Sequence, residues 1–246
     1  MTYSPRFLAA GTLSLWLAGH SAALADVKMP AIFGDHMVLQ QDLPVPVWGT
    51  ADPGEPVNVT VGDHTAKAAA GTDGKWEVKL KPLAASAQAV TMTVAGKNTL
   101  TFHDVLIGEV WVCSGQSNME FGLGSASNSA TELPKANDPQ MRLFRVAKRP
   151  AHTPVADLTG QWQVCTPVTA ASFTAVGYFF GKELRAKLNR PVGLIGTYWG
   201  GTPAEAWTSL DGLGKDPVLA HYVEQWKRHC HAGAAKKLAP VDRGSC

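Results

Sequence analysis

Val105-Leu106-Ile107-Gly108-Glu109-Val110-Trp111-Val112-Cys113, followed by Ser114-Gly115-Gln116-Ser117-Asn118-Met119-Glu120, is the stretch on which the fold turns. Its first part is an almost continuous apolar run, the mark of a strand buried on both faces of a sheet. The run then breaks into small and polar residues that suit a strand-to-helix turn. Downstream the period changes. Val176, Phe179, Phe180, Leu184 and Leu188 recur at helical spacing between Thr174 and Leu188, predicting one apolar face, and Asn189 and Pro191 end that helix. Val192-Gly193-Leu194-Ile195 reads as a second buried strand. Thr202-Pro203-Ala204-Glu205 then predicts another helix start, with Thr202 as N-cap, Pro203 in the first turn and Glu205 at the capping-box position. Strand, helix, strand, helix implies an α/β fold with a parallel sheet and flanking helices.

Upstream of this stretch the texture is different. Between Pro44 and Phe102 apolar residues alternate with polar ones: Val57, Val59 and Val61; Trp76, Val78 and Leu80; Val90, Met92 and Val94. Gly62-Asp63, a hairpin-type turn at Thr72-Asp73-Gly74-Lys75, and Gly96-Lys97-Asn98 punctuate them. Short strands between turn signals predict a small antiparallel β-sandwich before the α/β part. Before that, Arg6 precedes a mostly apolar run from Phe7 to Ala18, too short to span a bilayer, and Ala23-Leu24-Ala25 offers small residues for cleavage. The expected organisation is therefore an export signal over 1–25, a β-sandwich over 26–104, an α/β segment over 105–227 and an atypical tail over 228–246. The mature protein is expected in the periplasm or outside the cell, without a stable membrane insertion.

Composition narrows the chemistry. A net charge of +2 over 246 residues gives no basis for nucleic-acid binding. Cys113, Cys165, Cys230 and Cys246 allow three disulfide pairings, among which sequence does not choose. Cys113, inside the apolar run, reads as a buried free thiol. His229-Cys230-His231 has no second pair at zinc-site spacing, so no metal is expected. In open α/β sheets ligands bind beyond the carboxyl ends of the strands. Two loops fall there: Ser114–Asn118, and Thr197-Tyr198-Trp199-Gly200-Gly201-Thr202. Ser117 has two readings on local chemistry. It is a helix cap, paired with Glu120 in a capping box, or it is a nucleophile exposed on a strand-to-helix turn.

The longer strings bear on that choice. Gly108 to Glu120, with its Ser-Gly-Gln-Ser-Asn-Met core, resembles the first motif block of the SGNH hydrolase superfamily, and specifically the sialate O-acetylesterase family, related to some acetylxylan esterases. The similarity continues in Trp162–Pro167, in Phe173–Leu184 and around Trp199-Gly200-Gly201-Thr202-Pro203-Ala204-Glu205-Ala206-Trp207, in the family's order. Val45-Pro46-Val47-Trp48-Gly49 resembles the β-domain that precedes the family's catalytic part. The resemblance implies an SGNH-type sheet and an exported esterase that removes O-acetyl groups from sialic acid or related sugars without a cofactor. It makes Ser117 the nucleophile and Gly201 the backbone donor that joins the Ser117 N–H in the oxyanion hole, with Gly200 allowing close approach. Gln116, Asn118 and Trp199 shape the loop or contact the acetylated sugar.

Two pieces of the family pattern do not occur in this sequence: a Gly-Glu-Ser-Asn-like string that completes the oxyanion hole, and an Asp-x-x-His element that supplies the base. No aspartate here has histidine three residues later. The expectation is thus a truncated, weakly active or inactive copy, with a tail from about Arg228 that departs from the family. The alternatives are a non-catalytic carbohydrate-binding remnant and an acetylxylan-type esterase.

Overall fold

The computed structural model describes residues 26–151 and 153–235. The expected export signal, His152 and the end of the tail lie outside the described residues.

The β-rich part follows from its alternation. The strands are β1 (Val38–Gln40), β2 (Val45–Thr50), β3 (Pro56–Val61), β4 (His64–Ala69), β5 (Lys75–Leu80), β6 (Ser86–Ala95) and the long β7 (Thr99–Gly115). In β2, β3 and β5 every second side chain is buried, including Val45, Val47, Val57, Val59, Val61, Trp76, Val78 and Leu80. β4, β3, β6 and the first part of β7 pair antiparallel in one layer, and β2 with β5 forms the other. Their inner faces share one apolar core. The Thr72–Lys75 turn is not a hairpin. β4 pairs with β3 and β5 with β2, so the turn carries the chain from one layer across to the other. A turn signal marks where the chain reverses, but partner choice depends on which layer each face must cover.

Next come the short helices α1 (Ser117–Glu120) and α2 (Ser129–Glu132), strands β8 (Asp138–Arg145) and β9 (Trp162–Cys165), and helix α3 (Pro167–Ala171). They are followed by α4 (Ala175–Leu188), β10 (Val192–Tyr198), α5 (Leu210–Lys215) and α6 (Ala220–Ala235). β7 runs from the β-rich layers into the α/β part without a break. β10 pairs parallel with its second half, from Val192 opposite Glu109 to Tyr198 opposite Gly115, and β8 pairs parallel with β10. β9 closes that side antiparallel. The sheet is therefore mixed, with a parallel centre, as the apolar runs predict.

The other edge of β7 is only partly covered. β1 pairs with Leu106–Gly108, and the Gln40 side chain accepts the Val110 N–H. Successive residues send their backbone groups to alternate sides, so beyond Val110 this edge has no strand partner among the described residues. Val112 is 63% exposed there and Trp111 44%.

Helix α4 forms where its period predicts, with Thr174 capping the Gly177 N–H and Asn189 left-handed at φ 50°. Its buried face is not the predicted one. Ala175, Gly177, Tyr178 and Gly181 face the sheet, while Val176, Phe179, Phe180 and Leu188 are exposed and Leu184 is half-buried. Close approach decides this. A Cβ on Gly181 would sit 2.7 Å from Leu194 and one on Gly177 would sit 2.9 Å from the Cys113 sulfur. The glycines let the helix press onto β7 and β10, and the larger apolar residues rotate outward. Phe180 there meets Trp111 edge-on at 5.1 Å.

Candidate active site

The β7–β10 register puts two loops side by side. Gly115 ends β7 directly opposite Tyr198, which ends β10, and the Trp199 N–H donates to the Gly115 carbonyl at 3.0 Å. The Ser114 hydroxyl ties the same strands by donating to the Thr197 carbonyl at 3.1 Å. Gly115 at φ 149° makes the turn into α1, where a Cβ would crowd Met119. The Ser114–Asn118 loop and the Trp199–Gly201 loop therefore leave the sheet together.

Ser117 is not a helix cap. Gln116 occupies the N-cap position of α1, and no side-chain bond caps that helix. Ser117 is exposed, and its hydroxyl lies 3.3 Å from the Gln116 side-chain oxygen. The Glu120 N–H makes the first intrahelical bond, to Gln116 O, so the amides of Ser117, Asn118 and Met119 have no backbone acceptor among the described residues. Gln116 and Asn118 are also exposed beside Ser117.

Glu120, which sequence reads as a local capping partner, instead reaches across to the second loop. Its carboxylate accepts the Gly200 N–H and pairs with the Lys148 ammonium. Those two donors, Lys148 first, hold its carboxyl below the usual carboxylate range. Gly200 is where the loops touch: a Cβ there would lie 2.8 Å from the Glu120 carboxylate and 3.5 Å from Ser117 Cα. The Gly201 N–H has no acceptor among the described residues, and open space surrounds this glycine at φ 79°. The Lys148 ammonium also lies 5.5 Å from the centre of the Trp199 ring. Sequence offers no sign of Lys148 or of the Glu120 reach, since the partners are far apart along the chain.

Thr202 does not cap a helix either. Its hydroxyl donates to Trp199 O at 2.6 Å and accepts from Trp207 Nε1 at 2.7 Å. Ala204–Trp207 is a single 3₁₀ turn preceded by an extended Pro203, and it lacks a side-chain cap. The Thr202 oxygen is occupied in closing the Trp199–Trp207 loop. The true helix start is Ser209, which accepts the Gly212 N–H at 3.0 Å to begin α5.

No histidine among the described residues contacts Ser117. The best acid–base pair lies elsewhere: His36 Nδ1 is 2.7 Å from Asp104 Oδ2, and Arg142 holds the same carboxylate through its two terminal guanidinium nitrogens at 2.7 and 3.1 Å. Arg142 first, and His36 after it, keep the Asp104 carboxyl below its usual range. Asp104 lies on β7, roughly 35 Å before Gly115 at a rise of about 3.3 Å per residue, so this cluster ties the segment just before β1 to β7 and β8 and does not serve Ser117. His221 Nδ1 donates locally, to Val218 O at 2.8 Å. Cys113 and Cys165 are buried free thiols. Among the described residues no cluster of three or more His, Cys, Asp or Glu could hold a metal ion, and no helix is long and apolar enough to cross a membrane.

Residues 107–237, more than half of the chain, match the model of the family described as carbohydrate esterase, sialic acid-specific acetylesterase. Sialate O-acetylesterase of Rattus norvegicus is 35% identical over 206 residues, covering 76% of this chain and 38% of that protein. That of Homo sapiens is 34% identical over 220 residues, covering 80% and 41%. The chain thus spans about two fifths of the length of these relatives. A crystal structure of a carbohydrate acetylesterase from Xanthomonas citri superimposes with a TM-score of 0.74 at 41% identity, over 77% of this chain and 44% of that one.

Proposed function

Because the chain belongs to the sialic acid-specific acetylesterase family of carbohydrate esterases, we propose that it carries the nucleophile half of an exported O-acetylesterase acting on sialic acid or a related sugar. The observation that carries this reading is Ser117. Its hydroxyl stands exposed at the carboxyl end of a central parallel strand, serves no cap, and faces a glycine loop with an unused N–H. A serine kept there without a structural task is free to attack. Ser117 Oγ adds to the acetyl carbonyl, and the Ser117 and Gly201 N–H groups receive the oxyanion. Collapse forms acetyl-Ser117 and releases the sugar hydroxyl, and water then frees acetate. Gln116, Asn118 and Trp199 line the approach of the sugar. The reaction needs no cofactor.

Serine attack also needs a base, and the 246 residues hold no Asp-x-x-His. In this proposal the base comes from polypeptide outside the present sequence, corresponding to the part of the relatives that the chain does not span. The chain alone then turns over slowly. The signal-like segment before Asp26 supports export to the periplasm or beyond.

Acetate release from O-acetylated sialic acid and from acetylated xylan, by this chain and by Ser117→Ala, tests the reading. A slow Ser117-dependent rate that is greater on the sialic acid supports it. A greater rate on xylan moves the substrate to plant polysaccharide. Equal rates for the two proteins, together with sugar binding that survives the substitution, favour a non-catalytic carbohydrate-binding role.

A further inference from the structure

Glu120 and Lys148 form a charge-balanced clip between the two loops of the site. Glu120 sits at the end of the turn that carries Ser117, and it is the acceptor for the Gly200 N–H, at the start of the turn that carries Gly201. This bond fixes the plane of the peptide joining Trp199 to Gly200. With Trp199 N–H bound to Gly115 O and Thr202 Oγ1 bound to Trp199 O, the loop is held at three points. Within Trp199–Gly201, the only amide left without an acceptor among the described residues is that of Gly201. A donor serves an oxyanion only if it is aimed before the charge develops.

A carboxylate this near the place of a developing oxyanion would by itself oppose it. Lys148 offsets that charge by pairing with the second carboxylate oxygen while lying over the Trp199 ring. Arg145, at the end of β8, stands 5.9 Å from the centre of the Tyr198 ring and adds a further positive charge on the same side.

We propose that Glu120 is a positioning residue for the oxyanion hole, aiming the Gly201 N–H by holding Gly200, and that Lys148 cancels the cost of its charge. This rests on the reading of Ser117 as nucleophile and Gly201 as donor. The two roles separate by substitution. Glu120→Gln keeps an oxygen for the Gly200 N–H but removes the negative charge. Glu120→Ala removes both. Lys148→Met keeps the hydrogen bond and leaves the carboxylate without its counter-charge.

Phenylboronic acid is the probe, because its adduct needs no histidine base. The Ser117 oxygen bonds to trigonal boron, the hydroxyl proton passes to buffer, and boron becomes a four-coordinate anion in place of the tetrahedral intermediate. Affinity is read by ¹¹B NMR and Trp fluorescence at fixed pH, with thermal melting of each variant alongside. The expected order is Glu120→Gln within about threefold of the unmodified chain or tighter, Lys148→Met weaker by about threefold or more, and Glu120→Ala weaker by about tenfold or more. A purely structural role predicts instead that affinity tracks melting temperature, with Glu120→Gln impaired like Glu120→Ala, and that result overturns the proposal. If Ser117→Ala abolishes the adduct while the Glu120 variants leave it unchanged, the positioning role fails and the nucleophile stands. If the unmodified chain gives no adduct, or Ser117→Ala binds equally well, both fail.

Discussion

Gly108→Ala probes the joint on which the site depends. Gly108 is buried in β7 at the point where β1 stops pairing and β10 begins. A Cβ there would lie 2.0 Å from the Pro191 carbonyl oxygen and 2.7 Å from its carbon. Both are backbone atoms, so no side-chain rotation relieves the contact. Reaching an ordinary 3.4 Å separation requires a displacement of about 1.4 Å. That same oxygen accepts the Glu109 N–H at 2.9 Å, the first bond of the β7–β10 ladder. Overpacking costs about 1–3 kcal/mol and the lost buried bond about 1 kcal/mol more, so the expected destabilisation is about 2–4 kcal/mol. For a chain of this size that corresponds to a fall of roughly 5–15 °C in Tm. Urea unfolding followed by far-UV circular dichroism measures it, with Gly34→Ala, where a Cβ meets nothing within 4 Å, as the control. A Gly108→Ala chain as stable as the Gly34→Ala chain would refute the register that sets the Ser117 loop beside the Gly200 loop.

Other contacts carry predictions of their own. Asp104→Asn keeps a side chain that tolerates the positive φ of 55° but leaves the buried Arg142 without its counter-ion. It should cost about 1–3 kcal/mol, less than a fully buried pair because Asp104 is a third exposed. Since the folded-state carboxyl is held low, the stability gap between this variant and the unmodified chain should be complete above the unfolded Asp value near pH 4. It should close as pH falls through the lower folded value, as read by urea midpoints across acid pH. On α4, Val176→Ser should change stability by less than about 0.5 kcal/mol, as surface substitutions do. Gly181→Val should cost about 1–3 kcal/mol by driving the helix from Leu194. Burial pushes the Cys113 and Cys165 thiols up to about 11 and about 12, so at pH 8 iodoacetamide should label Cys113 about a hundredfold and Cys165 about a thousandfold more slowly in the folded chain than in urea, as peptide mapping reports.

The strands of the β-rich part are legible in sequence, because a half-buried sheet writes its burial at period two, as in Val57, Val59 and Val61. The parallel centre is legible from the apolar runs of β7 and β10, and the Ser117 loop from the small and polar residues after the first of those runs. The face of α4 is not. Its sheet contact is built on Gly177 and Gly181, and a hydrophobic stripe cannot report a surface chosen for closeness of approach. Glu120 and Thr202 mislead for a related reason. Glu120 reads as a capping-box partner and Thr202 as a cap, yet the Glu120 carboxylate goes to Gly200 on another loop and the Thr202 hydroxyl closes the Trp199–Trp207 loop. The continuity of β7 through both parts of the chain is hidden as well. The sequence divides the chain between a β-rich part and an α/β part near Val105, whereas one strand crosses that boundary and uses Gly108 to bring Pro191 against it.

Acetylation of Ser117 itself bears most closely on its role as nucleophile. The chain is incubated with p-nitrophenyl acetate, with and without imidazole as an external base, and the acetylated peptide is located by mass spectrometry. Slow acetylation is expected at Ser117, accelerated by imidazole and not discharged at a comparable rate. Acetate confined to other residues, or a Ser117 that imidazole leaves unreactive, would overturn the assignment of Ser117 as the nucleophile.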